Sequence, residues 1–144
     1  MQLENLRNKA MIQIINKKIS YDKSVKLCEN WYRKVLLVHD KNSKFATQSY
    51  RDLTRLLLLA ALEYESDDDI ERLFLVYKKF RIKSADRIHL SWEVYLARRR
   101  RGAHELALQL LKSMVRCTRI ARPALKYPTK KMFADAFREL SHYS

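Results

Sequence analysis

Apolar residues recur along this chain at intervals of three and four, the spacing that lines one face of an α-helix. Leu3, Leu6, Ala10, Met11, Ile14 and Ile15 trace a first helix ending near Lys18. After ISYD, with Asp22 as the expected cap, Val25, Cys28, Trp31 or Tyr32, Val35 and Leu36 trace a second. HDKNSK at 39–44 reads as a loop, because Asn and Ser supply turn chemistry. A third helix is expected from Thr47 to Glu65, apolar nearly all round at Leu56–Leu62 and therefore buried between helical layers. The SDDD at 66–69 places carboxylates over the positive end of the next helix, which carries Ile70, Leu73, Phe74, Tyr77 and Phe80. Ser84-Ala-Asp opens a fifth helix with Ile88, Trp92, Tyr95 and Leu96 inward, and Gly102 stops it. A sixth runs from Ala103 to about Arg119 through Leu106, Ala107, Leu110, Leu111 and Met114. Pro123 and Pro128 interrupt the chain, and Thr129 caps a last helix bearing Phe133, Ala136, Phe137 and Leu140.

Residues 51–80 and 85–114 match when displaced by 34 positions. The displacement pairs Leu56 with Leu90, Leu58 with Trp92, Ala61 with Tyr95, Leu73 with Ala107 and Tyr77 with Leu111. Apolar type is kept while identity is not, as in stacked helix–turn–helix units that bury their stripes against neighbours. The expected fold is all-α: a short antiparallel helical-repeat solenoid of six to seven helices. Residues 1–144 form a single repeat domain in this reading, with units at 51–84 and 85–118.

Composition agrees with the periodicity. One glycine and two prolines in 144 residues are too few for the tight turns of a sheet protein. Thirty Lys and Arg against sixteen Asp and Glu leave a net charge of +14, which favours an acidic partner. Cys28 and Cys117 lie far apart in helical surroundings and read as buried free thiols. The MQLENLRNKA start lacks an apolar signal run, and LLLLAAL at 56–62 is too short to span a bilayer. An intracellular protein, nuclear or cytoplasmic, is expected.

Catalytic motifs are missing. With one glycine the chain holds no Gly-rich phosphate loop. His39, His89, His104 and His142 fall in four segments without metal-ligand spacing. Asp67, Asp68 and Asp69 lack the pattern of a calcium loop, and Glu63 and Glu65 point different ways on a helix. No enzyme activity, cofactor or metal is expected.

Binding residues are sought instead among basic clusters and surface aromatics. Arg98, Arg99, Arg100 and Arg101 exceed what a helix C-terminus needs, and guanidiniums suit bidentate contact with carboxylate or phosphate. Lys78 and Lys79, with Arg81 and Lys83, end the preceding helix; Arg116, Arg119, Arg122, Lys126, Lys130 and Lys131 form a third group. Trp31 and Tyr32 are adjacent, so at least one leaves the buried stripe and is free for a groove or interface. Trp92, Tyr95, Tyr77 and Phe80 fall on inner stripes and read as core.

The segment SWEVYLARRRRGAHELALQLLKSMV, with its Trp92 and Tyr95, closing Gly102 and small Ala107, resembles the tetratricopeptide family and its half-a-tetratricopeptide relatives. Leu58 and Ala61 replace the aromatic pair in the first unit, so the resemblance covers residues 51–114 only. The order of SDDDIERLF and YKKF before it is similar to the N-terminal tetratricopeptide domain of spindle-checkpoint kinases. That resemblance implies kinetochore targeting through protein contacts and no catalysis; the half-a-tetratricopeptide proteins of RNA processing imply RNA association. Two functions follow as expectations. One is a scaffold or adaptor module holding an acidic peptide or helix in a groove edged by Arg98–Arg101, Lys78, Lys79, Trp31 and Tyr32. The other is a basic helical domain binding RNA or DNA. A third expectation is homo-oligomerisation through Ile12, Ile14, Ile15 and Ile19 of the first helix; membrane binding is not expected, since apolar faces are committed to the core.

Overall fold

The computed structural model describes residues 2–16, 19–80, 84–121 and 128–140, and their side chains except at 84–85 and 116–121. All regular structure among the described residues is helical: α1 (Gln2–Asn16), α2 (Tyr21–Val38), α3 (Lys44–Glu63), α4 (Asp67–Tyr77), α5 (Ser84–Arg100), α6 (His104–Ala121) and α7 (Lys130–Leu140). Within α1–α4 and within α5–α7, helices adjacent in sequence pack together, as the apolar spacing predicts for an all-α helical repeat. The chain groups into two compact units, Met1–Phe80 (unit 1) and Arg81–Ser144 (unit 2). Lys18, Arg81, Lys83, Arg122, Pro123, Lys126 and His142, and the side chains of Arg116, Cys117 and Arg119, lie outside the described residues.

Hydroxyl caps set the helix starts, and they sit slightly earlier than sequence suggests. Ser20, not Asp22, caps α2 by accepting from the Lys23 amide at 3.2 Å. Ser43 caps α3 by accepting from the Ala46 amide at 3.1 Å, so that helix begins three residues before Thr47. At α4 the three aspartates occupy the first turn, and the Ser66 hydroxyl donates to Asp69 instead of capping a backbone amide. Thr129 does cap α7, accepting from the Met132 amide at 3.2 Å.

Helices α3 and α5 end in the same way. Ser66 donates its amide to Ala61 and Glu65 to Leu62; Ala103 donates to Arg98 and Gly102 to Arg99. Each is a Schellman closure, whose penultimate residue must turn left-handed. Gly102 does so at φ 81°, and Glu65 does so at 57° despite its side chain. A Cβ on Gly102 would touch nothing within 4 Å, so only backbone strain opposes substitution. Gly102→Ala is therefore expected to cost about 1 kcal/mol. Chemical denaturation followed by circular dichroism checks this; an unchanged midpoint would remove the left-handed turn from the account.

These closures correct the repeat register. Glu65 and Gly102 are 37 residues apart, not 34. At that displacement Ile70, Leu73, Phe74 and Tyr77 of α4 fall on Ala107, Leu110, Leu111 and Met114 of α6, and all eight are buried. In α3 and α5, Leu53, Thr54, Leu58, Ala60 and Ala61 fall on Leu90, Ser91, Tyr95, Ala97 and Arg98, again all buried. A three-residue slip along a helix rotates a stripe by only about 60°, so apolar type still matches at the wrong displacement. The hydrogen-bonded ends remove that degeneracy.

Unit 1 is built around α2 and α3. Ala10 and Ile14 of α1, Cys28, Trp31 and Val35 of α2, and Ala46, Leu53, Leu56 and Ala60 of α3 make one core cluster. Tyr21 ties α2 to α4 by donating to Asp69 at 2.7 Å, and Tyr64 donates to the Ile19 carbonyl. In unit 2, α5 and α6 form the main pair, and Trp92 of α5 meets the Phe133 ring of α7 edge-on at 5.3 Å.

Candidate partner-binding site

Helix α2 presents three stripes, each spaced as one helical face. Ser24, Cys28, Trp31 and Val35 are buried in the unit 1 core. Glu29, Tyr32, Arg33 and Leu36 flank that face on one side, and Lys23, Lys26, Leu27 and Asn30 on the other. Each flank lines an open depression, so one helix forms a wall of two separate surfaces.

The first depression is an aromatic groove of about 410 Å³ among α2, α3 and α4. Tyr50, Leu53, Thr54 and Leu57 supply the α3 wall, and Arg72, Leu73 and Val76 the α4 wall. The α3 residues are again spaced i, i+3, i+4 and i+7, so the local helix geometry alone aims them together. Tyr32 and Tyr50 of the lining lie 5.8 Å apart, and Phe80, outside the lining, meets Tyr50 edge-on at 5.8 Å. Tyr50 is 42% exposed and Leu36 37%, so apolar and aromatic surface remains open to solvent. Arg33 and Arg72 bring positive charge to the margin, with Glu29 the one acidic lining residue. Arg72 is held at 3.2 Å by Asp69. The hydrogen bond from Tyr21 keeps that carboxyl below its ordinary pKa, while burial pushes the Tyr21 phenol up to about 12.

The residues expected to bind are distributed unevenly. Of the aromatic pair, Trp31 is 3% exposed and belongs to the core, which takes it out of reach of a partner. Tyr32 lines the groove. Lys78 and Lys79 are exposed at the end of α4, with the Lys78 ammonium 5.2 Å from the centre of the Phe74 ring. Arg98–Arg101 lie in unit 2, and half of that cluster is structural. Arg98 is 9% exposed and donates to the Leu106 carbonyl at 3.1 Å, pinning the end of α5 to α6. Arg99 donates to the Tyr95 hydroxyl at 3.3 Å and pairs with Glu139 of α7. Arg100 is exposed and Arg101 half-buried.

Tyr50, Leu57, Arg72 and Val76 were not singled out from sequence. Their only sequence signal is stripe spacing, which marks core and groove positions alike. The expected oligomerising face of α1 is likewise divided: Ile14 is 1% exposed and belongs to the core, whereas Ile12 and Ile15 are 54% and 61% exposed. Cys28 is buried and free, and burial pushes its thiol up to about 12. Among the described residues no group of three or more His, Cys, Asp and Glu is placed to hold a metal, and no helix is long and apolar enough to cross a membrane. Compared with protein-family models, with curated proteins and with solved structures, the chain matches none.

Proposed function

We propose that the chain is a non-catalytic interaction module whose aromatic groove, between α2, α3 and α4, takes a peptide or helix of a partner protein. The observation that carries this reading is the Tyr32–Tyr50 pair, backed by Phe80 behind Tyr50, beside an apolar lining of Leu53, Leu57 and Leu73, with Tyr50 open to solvent and Arg33 and Arg72 at the edge. Aromatic rings that are part buried and part exposed give large contact area at low entropic cost, which is the character of binding hot spots. Helical repeats offer such surfaces because each unit keeps one face for its neighbours and one for ligands. The partner segment carries apolar or aromatic anchors at helical spacing with acidic neighbours that face the arginines.

Selection from a displayed library of random peptides about a dozen residues long tests this. Selected peptides are expected to share that anchor pattern and to lose about tenfold in affinity, or more, with Tyr32→Ala or Tyr50→Ala. Because Tyr32 and Tyr50 are only partly buried, both variants keep their fold by circular dichroism. The net charge of +14 favours a second reading, nucleic-acid binding. Selection that yields no peptide, together with RNA binding that survives about 0.15 M salt, would replace the first reading by the second.

A further inference from the structure

The opposite flank of α2 carries a second depression, a cleft of about 480 Å³ against α1. Lys23, Lys26, Leu27 and Asn30 come from one face of α2, Lys9 and Gln13 from one face of α1, and Ile19 precedes α2. Leu27 and Ile19 are half-buried, so the floor is apolar, while the three lysines are exposed around it. Lysine stems extend an apolar floor and leave their ammonium groups at the rim. Among the described residues no carboxylate lines the cleft and none of the three lysines is engaged in an ion pair. Three exposed lysines around one apolar depression give it a positive potential that an anionic ligand complements.

We propose that this cleft docks an acidic amphipathic helix of a partner protein, at a site separate from the aromatic groove and independent of what that groove binds. Charge complementarity selects the acidic flanks, and the apolar floor selects a stripe of Leu-like anchors between them. The α2 wall from Lys23 to Asn30 covers two helical turns, about 10 Å, which fits anchors at i, i+4 and i+7. A chain with distinct surfaces on the two sides of α2 then joins two partners, and the affinities of such linked contacts multiply when both come from one assembly.

The probe is a synthetic peptide of roughly 14 residues, with Leu at i, i+4 and i+7 and Glu elsewhere on the flanks, titrated into the isotopically labelled full chain. Amide shifts are expected at Lys9, Gln13, Lys23, Lys26 and Asn30, with binding retained near 0.15 M salt, about one Debye length of 8 Å. The paired substitution Lys23→Gln and Lys26→Gln is expected to weaken binding about tenfold, and Leu27→Ala to weaken it as well. A scrambled peptide of equal charge, lacking the apolar stripe, is expected to bind about tenfold more weakly than the probe. Tyr32→Ala leaves this affinity unchanged, so failure here and failure of the aromatic groove are separable. Equal binding of the scrambled peptide, shifts outside the cleft, or no binding at millimolar peptide would overturn the proposal. So would binding of anionic phosphatidylglycerol vesicles that depends on the same lysines while the peptide does not bind.

Discussion

Trp92→Ala is expected to remove about 3–5 kcal/mol of stability, the cost of deleting a large buried aromatic. The indole is 3% exposed, lies tilted against Tyr95 at 4.8 Å and meets Phe133 at 5.3 Å, so it joins α5 to α7. Truncation leaves a cavity between rings that cannot close it without moving a helix. The loss is a large part of the roughly 5–15 kcal/mol that holds an ordinary domain together. Hydrogen exchange resolved by peptide should therefore show protection collapsing in α5, α6 and α7. Trp92→Phe is the milder comparison, since the indole nitrogen finds no hydrogen-bond partner among the described residues and a phenyl ring keeps much of the packing. Native protection in the alanine variant would sink the assignment of Trp92 as the joint of unit 2.

The second large effect concerns Arg98, whose place in a basic run suggests binding while its surroundings make it structural. Arg98→Ala is expected to cost about 1.5–3 kcal/mol, because a charge-assisted hydrogen bond from a buried guanidinium to the Leu106 carbonyl is lost. Arg100→Ala, two residues on and exposed, is expected to stay within about 0.5 kcal/mol of the parent. Thermal unfolding of the two variants side by side settles the contrast. Equal midpoints would return Arg98 to the surface and make it a binding candidate beside Arg100.

The difference between these arginines was invisible in the sequence for a definite reason. RRRR ends a helix, and consecutive residues there are rotated by about 100° each, so four identical side chains meet four different environments. Arg98 turns toward α6 and Arg99 toward α7, where Glu139 awaits 40 positions later in the chain. A pairing over that distance leaves no local signature. Trp31 and Tyr32 illustrate the same point with less ambiguity. Adjacency alone guarantees that one of them leaves the core; only the placement of α3 and α4 determines that Tyr32 is that one and that Tyr50 stands beside it.

By itself the sequence determined the all-helical fold, the approximate helix limits, the pairing of α3–α4 with α5–α6 as repeated units, and most of the core. Those features rest on periodicity and turn chemistry, which are local and are written into neighbouring residues. Tertiary structure decided the 37-residue register, because a one-turn slip keeps apolar type but moves a hydrogen-bonded helix end. It also decided which half-apolar stripes are covered and which stay open. The stripes of α2 that line the aromatic groove and the lysine cleft each mix apolar with charged residues, and what stands across from each of them is a property of other helices.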